Sequence, residues 1–592
     1  MSKILTGYPS IDLPQSREAK FLEKHPIIPS IDVMTILFLL NRKNGNNIAI
    51  DSDELQVTYN QFKEDSKMLA RAFRELGVKK GQIITIPLPS NYQALCVFGA
   101  LNLIGAVTTF IDEYATDVEV LNYLSLYTSP ILVNFDKTPE QNEYIKKNSN
   151  VKYIITLDSA KRNSRDFTMP EASNQSDYMV NFHTLASIGV HQRSRFHLPN
   201  SGSDDALILY TSGSSGEPKA VVLTNKNILA AQIYAGKTSH TENITATKTM
   251  TCVPLRYPYG FVTSLLTSLM WQKTAIMTPG WDSKTAAHYL AKEPNIIFGS
   301  PSVDEVIRRN TPEGANLNSV DLFISGGDYW TKKQDELARE FYHEHGNDHV
   351  QFLNGFGNAE NVSLGSTPVG VPFKENSAGK ILVGTTPLVI DKDLPDDVVL
   401  DGNALEEKKY GEVGELCISG ENIFKEYFGN PEKTELAKFV RGGKTFFRTG
   451  TIGYVDQDGY FYPMERKSRF FIRSTGHKVY MDNVQNIVEA SCDKILDAAA
   501  VKVKDPDEIG VVKVYVVLKE GVIPNEDTIK EIYDSLLVPV VINNKLVQLK
   551  EYEIPRFIEF IDEIPKIKGS EKPDYKLLEQ DAEEKHVIEK TL

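Results

Sequence analysis

The chain is poor in cysteine and tryptophan, with four and three of them in 592 residues. Cys96, Cys252, Cys417 and Cys492 lie far apart and form no Cys-x-x-Cys pair. That spacing argues against a disulfide framework or a metal knot and fits a reducing compartment. Positive charge is outweighed: 65 Lys+Arg against 79 Asp+Glu give a net charge of −14. Nonspecific nucleic-acid binding is thereby excluded, and any anionic ligand must meet a local basic patch rather than the overall field. Long apolar runs are missing too. The uncharged stretch Ala94 to Ile111 sits at the lower limit for a membrane span. Gly99, Asn102 and Gly105 interrupt it, and Val107, Thr108, Thr109 and Ile111 turn it β-branched, so a buried helix followed by a core strand is expected. Met1-Ser-Lys-Ile-Leu-Thr-Gly-Tyr-Pro9 carries no apolar core for a signal peptide. These absences predict a soluble, cytoplasmic protein with no transmembrane segment.

What is present is ordinary in bulk: 41% hydrophobic and 24% charged residues, as in globular enzymes. The length exceeds what one core supports, so at least two domains are expected. Residues 30 to 140 alternate helical and strand patterns. Tyr59 to Leu76 has helical spacing and stops at Gly77, and Gln82 to Leu88 reads as a strand. Repeated βα units predict an α/β fold of largely parallel sheets covered by helices. Residues 156 to 205 are polar and read as a surface excursion. Composition shifts near residue 465, where Arg466, Lys467, Arg469, Arg473, His477 and Lys478 follow one another without an acid. The run reads either as a solvated edge strand or as a patch facing phosphates. Beyond it, the strands Ala498 to Val503 and Val511 to Leu518 with flanking helices predict a small α+β domain. The expected division is 1–465 and 466–592.

The densest signal is Ala206 to Thr224. An apolar run, Ala206 to Tyr210, enters a loop of small residues, and a β-branched run, Ala220 to Thr224, leaves it. Gly213 and Gly216 let backbone N–H groups approach an anion. Thr211, Ser212, Ser214 and Ser215 add hydroxyls, and Lys219 adds a fixed positive charge. This chemistry suits a polyphosphate, but the spacing is not that of a Walker A loop. Thr211-Ser-Gly-Ser-Ser-Gly-Glu-Pro-Lys219 resembles the signature loop of the adenylate-forming (AMP-binding) superfamily of acyl-CoA synthetases, peptide-synthetase adenylation domains and luciferases.

Further blocks follow in that family's order. Ser325-Gly-Gly-Asp328 is similar to the turn bordering the adenine site, which implies nucleotide contacts for Gly327 and Asp328. Asn354-Gly-Phe-Gly-Asn-Ala-Glu360 resembles the Asn-Gly-Tyr-Gly-x-Thr-Glu block. The resemblance implies that Asn354, Gly355, Phe356, Gly357 and Ala359 border the nucleotide, with Phe356 on adenine and Glu360 holding Mg²⁺ against phosphate. Tyr410 to Gly420 with Tyr427-Phe-Gly-Asn-Pro431, then Phe447-Arg-Thr-Gly-Thr451, match two more blocks, and Arg466 stands where the family has an arginine. Gly7-Tyr-Pro-Ser-Ile-Asp12 resembles the leader of some bacterial fatty acyl-CoA ligases. The implied activity is ATP-dependent activation of a carboxylic acid to an acyl-adenylate. A hinged C-terminal domain then swings so that a thiol attacks. The implied cofactors are ATP, Mg²⁺ and CoA, or the phosphopantetheine of a separate acyl-carrier protein. Lys219 and Glu360 are implied in catalysis, together with a C-terminal lysine. Lys572 matches that lysine with one residue inserted, and Lys568 competes for the role.

Departures cluster where chemistry is expected. The family's threonine before the Mg²⁺ acid is Ala359, its ribose-binding aspartate is Thr451, its hinge aspartate is Ser468, and the glycine before Arg466 is Glu465. A nucleotide- or acyl-binding homologue without turnover therefore stays open. Val253-Pro-Leu-Arg-Tyr-Pro-Tyr-Gly-Phe261 aligns with the Pro-Leu-x-His-x-x-Gly segment, with Tyr257 in the histidine position. The Phe-Asp start of amino-acid adenylation domains is absent, which favours an acid without an α-amino group. Arg256 reads as a surface residue or as one reaching a polar substrate.

Overall fold

The computed structural model describes residues 6–15, 28–52, 55–87, 90–135, 137–157, 177–191, 200–212, 218–239, 245–278, 285–327, 330, 332–466, 469–473, 477–505, 510–542, 545–566 and 573–584. Two large sheets dominate. The first has eight strands in the order Glu426–Tyr427, Pro218–Thr224, Asp205–Ser212, Val107–Phe110, Ile83–Ile86, Ile131–Phe135, Tyr153–Leu157 and Met179–Asn181. Its pairings are parallel except at the two strands flanking the small-residue loop and at Glu426–Tyr427. The second has seven strands, Gln351–Asn354, Leu322–Ser325, Ile296–Gly299, Lys248–Thr251, Thr274–Met277, Ile48–Ser52 and Leu55–Thr58, antiparallel only at the last pair.

Helices fill the space between the sheets. Tyr59–Glu75 begins in a reciprocal cap: Thr58 Oγ1 accepts from Gln61 N at 3.2 Å, and Gln61 Oε1 accepts from Thr58 N at 2.8 Å. Tyr92–Leu103 carries no charge and is buried from Tyr92 through Asn102, as the uncharged run predicts, and Val107–Phe110 follows it as a core strand. A buried amide fastens these elements. Asn225 Oδ1 accepts from Asn102 Nδ2 at 2.8 Å and from Val33 N at 3.1 Å, which joins three helix ends. The polar stretch before the signature loop is not wholly a surface excursion. Met179–Asn181 adds an edge strand, and Phe182–His191 buries Leu185 and Ala186 against Tyr59–Glu75.

A five-stranded antiparallel sheet follows, built from Thr386–Ile390, Gly414–Ser419, Lys444–Val455, Lys438–Arg441 and Phe461–Arg466. The remainder forms its own apolar cores, which draw only on residues from Phe471 onward. There Ile495–Val503, Val511–Leu518 and Phe557–Phe560 make a three-stranded sheet covered by Met481–Ser491 and Glu526–Leu536. Among the described residues, no helix is long and apolar enough to cross a membrane. All four cysteines are buried thiols.

Candidate functional site

The hairpin around the small-residue loop sets the site. In its antiparallel register Thr211 pairs with Lys219, which puts a hydroxyl and an ammonium side by side on one wall of a cleft of about 420 Å³. The loop residues Gly213, Ser214, Ser215 and Gly216, and the side chain of Ser212, lie outside the described residues. Opposite, Tyr427 reaches the same wall because Glu426–Tyr427 pairs antiparallel with Pro218–Thr224. The Lys219 Nζ stands 5.2 Å above the Tyr427 ring. Tyr427 Oη donates to Glu360 Oε1 at 2.7 Å, and Phe424 N donates to the Glu360 carbonyl at 2.7 Å. Burial lowers the Lys219 pKa from its ordinary value, and the nearby Glu360 carboxylate opposes that shift. Sequence reasoning quoted Tyr427 only as a motif residue; the signal for its role is that motif itself, Tyr-x-x-x-Pro.

The far wall comes from the five-stranded sheet. Arg448, Thr449, Gly450 and Thr451 line the cleft with Asp396 and Asp397. Arg448 Nη2 donates to Glu415 at 2.7 Å and Asp396 at 2.8 Å, and Gly450 N donates to Glu415 Oε1 at 3.2 Å. Asp396 and Asp397 come from a loop that no motif singled out. Thr451 is buried and lies directly across the ladder from Arg466. Asp456 and Asp458, in the turn beyond, are each bound by Lys374 at 2.6 Å. Ala359 and Gly357 line the cleft beside Glu360, as does Gly327, whose positive φ of 86° makes the turn. Asp328 lies outside the described residues, as do Ser468, Lys568 and Lys572.

The structure does not bring Asn354, Gly355 and Phe356 to this cleft. Gly355 and Phe356 instead line an adjoining apolar recess of about 60 Å³, where Phe356 packs 4.8 Å from Phe461. The sequence block runs through the sheet edge, so its residues divide between the two spaces. Tyr259, Gly326, Gly327, Gly357, Ser363 and Lys478 border both.

The C-terminal part closes the mouth. Phe470–Ile472 and Lys478–Tyr480 form a two-stranded ribbon, and Phe470, Ile472, Lys478 and Tyr480 line the cleft. The described part of the basic run thus forms a ribbon that puts Lys478 on the cleft lining. Arg256, read as a surface residue or as one reaching a polar substrate, is buried. Its Nη1 bonds Glu113 at 2.5 Å and lies 3.6 Å from Asp112. Tyr552 Oη donates to Asp112, and Lys550 lies 3.9 Å from the same carboxylate. Burial pushes the Asp112 carboxyl up, but Arg256, Lys550 and His477 outweigh it and hold it below the usual carboxylate range. Burial keeps His477 well below its ordinary value, with Arg256 adding to the effect.

Three cleft-lining residues carry buried polar atoms with no hydrogen-bond partner among the described residues: Thr211 Oγ1, Asn358 Oδ1 and Thr451 Oγ1. Buried polar atoms of this kind call for a ligand or water. With Lys219 on the same lining, they suit a phosphorylated, hydroxylated molecule. The AMP-binding enzyme family model matches residues 40–428, and the AMP-binding enzyme C-terminal domain model matches 488–572. The chain belongs to the AMP-binding enzyme family. Within that family it is similar to a long-chain-fatty-acid–CoA ligase of Bacillus subtilis, 24% identical over 573 residues, covering 95% of this chain and 96% of the relative. It is also similar to 4-coumarate–CoA ligase 3 of Arabidopsis thaliana, 25% identical over 499 residues, covering 82% and 81%. In fold it is similar to an o-succinylbenzoate CoA synthetase of Bacillus subtilis, with TM-score 0.69, 19% identity and coverage of 92% and 98%.

Proposed function

We propose that this enzyme uses ATP to activate a carboxylic acid lacking an α-amino group, a fatty acid or similar, and passes the acyl group to the thiol of CoA. One observation carries the reading: Thr211, Lys219 and the Tyr427–Glu360 pair meet in a cleft that opens, past Gly326 and Gly327, into an apolar recess. The acid's oxygen attacks the α-phosphorus, pyrophosphate leaves, and the thiol then attacks the acyl carbon as AMP leaves. Lys219 and the Thr211 hydroxyl meet phosphate charge as it builds in that displacement. Glu360 is the residue that would hold Mg²⁺, and Tyr427 fixes one of its oxygens. Mg²⁺, when bound, would neutralise phosphate charge. Thr451 faces the ribose in this reading, and Arg466, paired with it on the ladder, is assigned to the nucleotide through the family resemblance. Phe470, Ile472 and Lys478 exclude water from the mouth. Residues from 466 onward act as the moving domain, with Lys572 or Lys568 serving adenylation. CoA is favoured over a carrier protein because similar proteins across nearly the whole length are named CoA ligases.

The test is pyrophosphate release from ATP and Mg²⁺ with a panel of aliphatic, aromatic and amino acids. Release with none of them defeats the proposal. The absent hydroxyl at Ala359 and the buried Thr451 favour one second reading, nucleotide binding without turnover. Calorimetric binding of ATP or AMP without pyrophosphate release identifies it.

A further inference from the structure

We infer that the acid is a short, unbranched aliphatic one of about three to five carbons, and that Gly355 sets this limit; the inference rests on the proposed acid activation. The recess measures about 60 Å³. A cavity of roughly 150 Å³ holds one benzene, so this smaller recess takes a few carbons and no aromatic ring. Its chemistry excludes a polar tail. Trp271, Phe298, Ile324, Phe356 and Leu364 supply apolar walls. Of the hydroxyls on its lining, those of Tyr259, Ser366 and Thr367 are bonded to Ile324 O, Ala378 O and Ser239 Oγ. Thr267 Oγ1 donates toward Gln232 Oε1 at 2.8 Å and Val262 O at 3.0 Å, and Thr263 Oγ1 toward Val362 O and Ser363 O at 3.4 and 3.3 Å. The one ionisable side chain on the lining with a fixed charge is Lys478, which stands at the border with the main cleft and meets the carboxyl end.

Gly355 is glycine without a backbone reason. Its φ is not positive, and an added Cβ would meet only Pro368 Cδ at 3.7 Å and Ser325 O at 3.8 Å, ordinary contacts. Gly357 differs: a Cβ there would lie 2.2 Å from the Ser363 backbone. A side chain at 355 would fit the fold but fill the recess, so the hydrogen at this position keeps space for the acyl tail.

The experiment measures pyrophosphate release by the full chain with straight-chain acids from acetate to palmitate and with benzoate, for the wild type and Gly355→Ala. The wild type is expected to prefer three- to five-carbon acids and to lose about tenfold or more in kcat/KM by octanoate, since a single misfitted methylene is worth ~10-fold or more. Gly355→Ala is expected to move the optimum down by about one or two carbons and raise KM for pentanoate about tenfold, more than it raises KM for ATP. An optimum at octanoate or beyond, or turnover of benzoate, overturns the inference while leaving acid activation intact. So does a Gly355→Ala loss that is equal for every acid or falls mainly on ATP. Absence of pyrophosphate release with every acid tested overturns the underlying proposal and the inference with it.

Discussion

The phenol oxygen of Tyr257 accepts a hydrogen bond from the backbone N–H of Lys478 at 2.9 Å. Tyr257 lines the cleft from the large N-terminal part, and Lys478 belongs to the ribbon that closes it. Burial raises the Tyr257 pKa, so the phenol is neutral near pH 7. The same residue thus touches the reaction space and seats the C-terminal part.

Tyr257→Phe keeps the ring and removes this bond together with the longer one from Arg256 Nη2 at 3.4 Å. A neutral hydrogen bond contributes roughly 1 kcal/mol, so transfer from a preformed acyl-adenylate to CoA should fall about fivefold. Pyrophosphate release in the first step should change less than transfer does. Equal losses in both half-reactions would contradict the assignment and point to general misfolding.

Glu360→Gln retains the acceptor for Tyr427 Oη but removes the charge. The Mg²⁺ concentration giving half-maximal pyrophosphate release should rise about tenfold or more, in line with ~1.5–3 kcal/mol for a charged partner. Lys219 also loses the carboxylate that opposes its downward pKa shift. The variant's activity should therefore decline at a lower alkaline pH than the wild type's. An unchanged Mg²⁺ titration would remove Glu360 from the metal role.

Thr451→Asp tests the departure at the expected ribose site. The hydroxyl it replaces has no partner among the described residues, and Arg466 lies across the ladder. A carboxylate able to take two ribose hydroxyls should lower KM for ATP about tenfold. The buried charge, close to Glu415, should also lower thermal stability. Weaker ATP binding would mean that the ribose is held elsewhere, with Asp396 and Asp397 next in line.

Asp304 supplies a pH signature of stability. It is fully buried, and burial raises its carboxyl to about 6 from an ordinary 3.8, with Arg308 at 2.7 Å only partly opposing. Between those values the folded state holds more protons than the unfolded one. Its stabilising contribution is therefore complete below pH 3.8 and is lost as pH rises through 6. The loss amounts to about 3 kcal/mol. Asp304→Asn has no such proton to lose, so its stability relative to wild type should climb across this window. Urea midpoints at pH 4, 5, 6 and 7 measure it; a constant difference would show that the carboxyl titrates normally.

The parts legible in the sequence were those with local causes. An apolar run and a β-branched run around a loop of small residues marked two strands, and their antiparallel register puts Thr211 beside Lys219. The interrupted apolar run gave a buried helix and a core strand. Long-range causes hid the rest. Nothing local to Arg256 marks it as buried, because its partner Glu113 lies 143 residues away. Polar composition before residue 205 concealed an edge strand and a helix whose apolar face finds its match on Tyr59–Glu75. Phe356 and Gly355 matched a nucleotide motif, yet the sheet edge turns them toward the recess.

The pairing of Glu426–Tyr427 with Pro218–Thr224 has a consequence for biosynthesis. The hairpin that carries Thr211 and Lys219 leaves the ribosome some two hundred residues before the edge strand that completes its wall, and segments emerge in order at a finite rate. A nascent chain stalled before residue 426 has Lys219 without the Tyr427 ring and Glu360 without its phenol donor. Such a chain cannot yet grip a nucleotide in the way described, so ligand capture is confined to the last third of translation or later.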